Sequence, residues 1–251
     1  MTTIITRVRH ESLYKRLKLS ALENAAGAIQ WLCDYDNGSP RLAETYNLAI
    51  PGIRGDVVVF MHDDAFFTDL CWDDVLRREL KNYDIIGAVG TDLYRGNTIL
   101  SEGHPHCFGK YLTEIDGKPM VKVFSRATDK PMSAVDGMFL ATTHEFLMKH
   151  KFDGKLDSLF FYDIDFCLGN KCGLTSLLIG HSKPADLYGK YPDSMKPQSE
   201  YEEYFYHKHQ ITPRCGVGDM RCAALSPEDF ALYGQDFSFK KFSDKFLGVP
   251  C

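Results

Sequence analysis

The sequence predicts an α/β protein with a mostly parallel central sheet flanked by helices and a C-terminal extension. Three observations predict it. Short β-branched apolar runs alternate with segments of helical length, the alternation persists through most of the chain, and the apolar runs end in clusters of carboxylates and imidazoles.

TTIITRV (2–8) has the β-branched density of a strand. ESLYKRLKLSALENAA (11–26) places apolar residues at 13, 17, 19 and 22, an approximate helical face. IQWLCDYD (29–36) is a second short strand, closed by the turn chemistry of Asn37, Gly38, Ser39 and Pro40. RLAETYNLAI follows as a helix with Pro40 near its start, then DVVVFM as a third strand. LCWDDVLRRELKNY (70–83) and DIIGAVG (84–90) continue the alternation as helix and strand. Residues 91–134 are less regular and suit a long connection carrying short strands. SAVDGMFLATTHEFLMKH (133–150) reads as a strand and then a helix starting near Thr142 or Thr143. TSLLIGHS is an apolar strand that ends in His181. From about residue 184 the composition shifts to Tyr, Lys, Pro and acids, with a helix signal in SPEDFALYG, where Ser226 can cap and Pro227 fits the first turn.

With 251 residues, 44% of them hydrophobic, the chain can bury a sizeable core. Its formal charge of −5 disfavours phosphate-driven binding to long nucleic acid. No apolar run reaches the roughly 18 residues of a membrane span, and the N-terminal stretch breaks into charge too early for a signal peptide, so a cytoplasmic protein is expected. The eight cysteines are scattered without C-x-x-C spacing and read as small buried hydrophobes.

The polar clusters carry the functional argument. Asp34 and Asp36 follow the second strand, His62, Asp63 and Asp64 the third, Asp163 and Asp165 lie in FYDIDFC, and His181 closes the last core strand. In a parallel sheet, strand ends of one sense gather on one edge, so these groups can converge on a single pocket. Each also has a plain structural reading: turn or capping carboxylates for the aspartates, a hydrogen-bonded surface residue for His181. His104 and His106 have no carboxylate nearby to complete a metal set, and HKH (207–209) reads equally as a phosphate contact or a solvated helix end.

Taken in order, DNGS (36–39), Asn47, VVVFMHDD (57–64), VDGMFLA (135–141), FFYDIDFCL (160–168) with Gly173, and IGHS (179–182) resemble the family-two-like glycosyltransferases of the GT-A fold. The resemblance is closest to a branch with an H-D-D metal motif and a Y-D-x-D catalytic segment. It implies a Rossmann-like sheet and a catalytic domain over residues 1–188, with residues 189–251 packing on it at the acceptor side or serving self-association as a homodimer. The implied reaction moves a sugar from a nucleotide diphosphate, with a UDP-sugar favoured, to an acceptor hydroxyl with inversion. A glycan or lipid-linked saccharide is the expected acceptor; a protein or modified nucleobase is also open. Mn²⁺ or Mg²⁺ would neutralise the leaving diphosphate, and carboxylate oxygen suits such ions.

Residue by residue, the resemblance makes Asp64 a metal ligand and His181 the histidine completing that site. It puts Asp36, Asp34, His62, Asp63 and Asn47 on the nucleotide side. Asp163 aligns with the general base, although Tyr162 stands where the wider family has Glu. Asp136, Gly137, Tyr162 and Asp165 fall on the acceptor or sugar side. A sugar nucleotidyltransferase is a rival, weakened because TRVRHESLYKR after the first strand has no glycine. A catalytically silent nucleotide-sugar-binding scaffold is the other, kept open by Tyr162 and His62.

Overall fold

The computed structural model describes residues 1–35, 41–96, 99, 106–115, 118–124, 130–156, 161–182, 199–211 and 223–224. The SPEDFALYG helix signal and Asp36 lie outside them.

Strand β1 (Thr2–Val8) is buried along its whole length and pairs in parallel with β2 (Ile29–Tyr35) and β3 (Val57–Met61). A strand covered on both faces needs apolar residues in both registers, so TTIITRV and VVVFM show continuous rather than alternating apolarity. The crossovers are α1 (Glu11–Asn24) and α2 (Leu42–Ala49), as the alternation predicts. On α1 the buried face is Leu13, Tyr14, Arg16, Leu17, Ser20 and Ala21. Leu19 and Leu22, expected on that face, are exposed, because the helix turns a charged and a hydroxyl side chain inward instead.

Beyond β3 the sheet departs from parallel. Strand β10 (Phe139–Thr143) runs antiparallel to β3 and to β5 (Ile85–Gly87), and β11 (Cys172–Leu174) runs parallel to β5. The order is β11-β5-β10-β3-β1-β2. Helix α3 (Trp72–Glu79) precedes β5, and Thr143 caps α4 (His144–Lys149) by accepting a hydrogen bond from Phe146 N at 3.1 Å.

A second sheet lies beside the first. It joins β4 (Ala65–Phe67), β7 (Cys107–Ile115), β8 (Lys118–Val123), β12 (Ile179–His181) and β13 (Ala223–Ala224) in the order β13-β8-β7-β12-β4, with β6 (Val89–Thr91) bridging β7 to β9 (Ala134–Val135). DIIGAVG therefore forms two strands in different sheets rather than one. The expected irregular connection contains a long antiparallel hairpin, β7–β8. CFGKYLTEI has no clean period-two pattern to announce it; pairing with β6, β8 and β12 makes it a strand.

The helices α5 (Tyr162–Cys167) and α6 (Ser199–His209) complete the described fold. Phe205 of α6 is fully buried, with its ring 5.0 Å from Phe161 and 6.1 Å from Tyr94. Below it, Phe152 stacks on Phe166 at 4.2 Å and packs against Phe60 at 4.9 Å. Among the described residues no helix is long and apolar enough to cross a membrane.

Candidate active site

β3 ends at Met61, and the chain turns sharply: His62 N donates to Met138 O and Ala65 N donates to His62 O, each at 3.1 Å. That turn is the start of β4, which pairs with β12 so that His181 lies opposite Ala65. His181 therefore reaches the site through the second sheet, and not along the parallel-sheet edge from which the sequence argument brought it.

The result is a cluster of His62, Asp64 and His181 whose candidate ligand atoms all lie within 4.8 Å of one another. His181 Nε2 is 3.4 Å and His62 Nδ1 is 4.0 Å from Asp64 Oδ1. Asp64 is 1% exposed, and its Oδ1 has no hydrogen-bond partner among the described residues. A buried carboxylate oxygen met only by two imidazoles outside good hydrogen-bond geometry is one a cation would satisfy, so the cluster fits a divalent ion. Burial pushes the Asp64 carboxyl up, but the neighbouring His181, His62 and Arg9 outweigh it and hold it below the usual carboxylate range.

Burial, opposed only by Asp64, lowers His62 to about 3, so its imidazole is neutral near pH 7 and can offer a lone pair. Hydrogen bonding says which one. The Tyr162 hydroxyl donates to Gly137 O at 3.2 Å and lies 3.3 Å from His62 Nε2. With the tyrosine proton committed to a carbonyl, Nε2–H donates to the phenol oxygen, and Nδ1 is left unprotonated on the Asp64 side. Tyr162 is 1% exposed and pushed well above the usual phenol range by burial, so it stays protonated. Tyr162 thus orients a cluster residue rather than lining an acceptor surface.

Asp163 lies at the first turn of α5 and is partly exposed. Its Oδ2 accepts from Gly137 N at 2.7 Å and its Oδ1 from Ile164 N at 2.9 Å. Burial, reinforced by the Asp136 carboxylate, raises it to about 7 despite those bonds. Gly137 cannot be larger: a Cβ there would sit 2.1 Å from the Tyr162 hydroxyl and 3.0 Å from Asp163 Oδ2. Asp136 makes a local turn, accepting from Met138 N at 2.9 Å. The chain His62–Tyr162–Gly137–Asp163 ties the His62–Asp64–His181 cluster and the Asp163 carboxylate into one connected network.

Several expected site residues have other work. Asp63 is fully buried and accepts from Arg9 N at 2.6 Å and His10 N at 2.7 Å, with Arg9 Nη2 at 3.4 Å, so it holds the β1–α1 loop instead of facing a nucleotide. Asn47 spends its amide on Phe152, donating to its O at 2.8 Å and accepting from its N at 3.1 Å, a clasp between α2 and the aromatic core. His62, expected beside the nucleotide, joins the ligand cluster. Asp165 faces α6, where Lys208 Nζ and His209 Nε2 lie 2.7 and 2.6 Å from its Oδ1. Asp34 is exposed near the end of edge strand β2 and accepts from Thr45 Oγ1 at 3.3 Å. Sequence reasoning missed Arg9 and Arg16; a basic pair in an acidic chain, flanking the first helix start, was the available signal.

The glycosyltransferase-like family profile matches residues 3–207, through β1 to nearly the end of α6. The chain belongs to that glycosyltransferase family. The enzyme is built on a mixed α/β sheet flanked by helices. Among curated protein sequences no relative matches it. Solved structures similar to this glycosyltransferase include A197 from STIV, at 15% identity over 73% of this chain and 86% of that one, with a TM-score of 0.46. S. aureus TarS 1–349 in complex with UDP-GlcNAc is similar at 9% identity over 84% and 73%, with a TM-score of 0.47. The same TarS fragment in complex with UDP is similar at 11% identity over 97% and 75%, with a TM-score of 0.46.

Proposed function

We propose that the enzyme transfers a sugar from a nucleotide diphosphate to an acceptor hydroxyl with inversion, using Asp163 as general base and a divalent cation held by His62, Asp64 and His181. The observation that carries this reading is Asp163: a carboxylate raised to about 7, fixed by two backbone N–H groups and linked through Gly137 and Tyr162 to the ligand cluster. A base near neutrality is half ionised at working pH and still strong enough to take a proton.

In the proposed reaction the acceptor oxygen attacks the anomeric carbon as its proton passes to a carboxylate oxygen of Asp163. The bond from that carbon to the phosphate oxygen breaks, and the nucleoside diphosphate leaves with the electron pair. Attack opposite the leaving group inverts the anomeric centre. A bound cation would supply charge neutralisation for the diphosphate. Two imidazoles in three ligands favour Mn²⁺ over Mg²⁺, which prefers an all-oxygen shell. A UDP-sugar donor and a glycan or lipid-linked saccharide acceptor follow from the family resemblance, and the extension over residues 189–251, at the acceptor side or in self-association, is read as packing on the catalytic domain. Docking of α6 against the α5 region supports that last point.

The test is thermal stability against nucleoside diphosphates and their sugars with Mn²⁺, Mg²⁺ or EDTA, followed by product analysis. An EDTA-sensitive shift with UDP, and UDP rather than pyrophosphate as product, are the expected results. No shift with any nucleotide, or pyrophosphate release, would overturn the reading.

A further inference from the structure

A buried charged side chain beside the His62–Asp64–His181 cluster does not belong to it. Arg16 sits in the second turn of α1, 9% exposed, with its guanidinium carbon 4.3 Å from the centre of the Phe66 ring. Burying a guanidinium costs several kcal/mol unless its donors and charge are answered. Here Nη2 donates to Ser182 Oγ at 2.7 Å and to the Asp64 carbonyl at 3.4 Å. Ser182 N donates to that same carbonyl at 2.9 Å. Asp64 and His181, the residue before Ser182, carry ligand atoms of the cluster, so one buried cation touches the backbone of the first and the neighbour of the second.

The surrounding packing makes this a rigid bracket. Phe66 lies opposite Gly180 in the β4–β12 pair, and a Cβ on Gly180 would come 2.1 Å from Phe66 Cζ. The glycine of IGHS thereby lets the Phe66 ring cross β12, giving Arg16 its aromatic platform. One turn further along α1, Ser20 Oγ accepts from Phe67 N at 3.1 Å. Helix α1 is bolted to β4 at two points and to Ser182, just past β12, at one.

We propose that Arg16 and Ser182 are positioning residues that set the cation affinity of the His62–Asp64–His181 cluster by locking β12 to the β3–β4 turn. The proposal rests on the cation-site reading above. Outer groups that orient ligands typically change metal affinity 10–100-fold when removed. The charge of Arg16 works the other way, since a guanidinium beside the site repels a second cation. The bracket claim is that orientation outweighs repulsion.

Mn²⁺ binding to the purified protein, read from the free-ion EPR signal without nucleotide, decides this for wild type, Arg16→Met, Ser182→Ala, their combination, and Asp64→Ala. Melting in EDTA identifies variants that remain folded. Expected are a loss of Mn²⁺ affinity of about 10-fold or more in each single bracket variant, and a combined loss smaller than the product of the single losses, because the two share the Arg16–Ser182 bond. Ser182→Ala removes only a hydroxyl and carries the test if Arg16→Met does not fold. Asp64→Ala should bind no Mn²⁺ at the cluster. Wild-type affinity in the folded bracket variants would overturn the bracket, as would tighter binding in Arg16→Met. No Mn²⁺ binding by wild type, or undiminished binding by Asp64→Ala, would instead remove the cation site and the bracket with it.

Discussion

The two halves of the candidate site are held by different means. His62, Asp64 and His181 leave the ends of strands: β3 is buried throughout and paired on both sides, and β12 is paired to β4 and β7. Asp163 sits on a six-residue helix entered through Phe161 at φ 75°, a left-handed conformation that a bulky residue adopts only when its surroundings hold it. Those surroundings include α6, through Phe205 on Phe161 and through Lys208 and His209 on Asp165, two residues past Asp163. Backbone ladders fix the ligand half. Side-chain contacts from far along the chain fix the base half. The difference teaches that cation binding and proton transfer should fail independently, and the largest effects are the ones that separate them.

Asp163→Asn should cut turnover by about 10²–10⁴-fold while donor and Mn²⁺ affinity stay near wild type, measured by UDP release and by titration. In the wild type the rate should fall as pH drops through about 7, where Asp163 takes up its proton. The same shift has a stability sign. A carboxyl raised by folding holds its proton in the native state when the unfolded chain has lost it, so stability declines as pH rises from the ordinary carboxylate range to about 7 and then levels. Asp163→Asn should flatten that decline in melting profiles. Equal loss of donor binding and turnover would break the division between the halves.

Asp64→Ala should abolish the EDTA-sensitive stabilisation by UDP with Mn²⁺, about 2.7 kcal/mol at 100 times the dissociation constant, seen by melting. A retained shift would place the cation elsewhere. Asn47→Ala should cost about 1–3 kcal/mol of stability by leaving the Phe152 backbone unpaired, with UDP affinity unchanged. A selective loss of UDP affinity would return Asn47 to the nucleotide side. Smallest is the effect of loosening α6: Lys208→Met with His209→Gln should lower turnover about 10-fold and speed amide exchange in α5 relative to β3, with Mn²⁺ affinity unchanged. Exchange equally slow in α5 and β3 would erase the contrast.

Much of the fold was legible because its strongest signals are local. β1, β3 and the Thr143 cap follow from apolar runs and one hydroxyl in TTIITRV, VVVFM and ATTHEF. The candidate ligands Asp64 and His181 and the base candidate Asp163 stood out because carboxylates and imidazoles closing apolar runs are chemically conspicuous. Asp63 looked identical in sequence to Asp64. Only the β1–α1 loop, folding its N–H groups onto one carboxylate and leaving the other without a donor on Oδ1, tells them apart.

By itself, then, the sequence determined the alternation of strand and helix, the polar strand ends and the resemblance that the family match bears out. Tertiary structure decided the antiparallel β10, the second sheet that delivers His181, the contact of Tyr162 with His62, and the burial of Arg16 beside the cluster. The physical reason is range. Periodicity and capping act over a few residues and leave a trace in the order of the chain. Which donor answers which buried acceptor depends on groups as much as 166 positions apart, as with Arg16 and Ser182, and is fixed only when the two are brought to hydrogen-bonding distance.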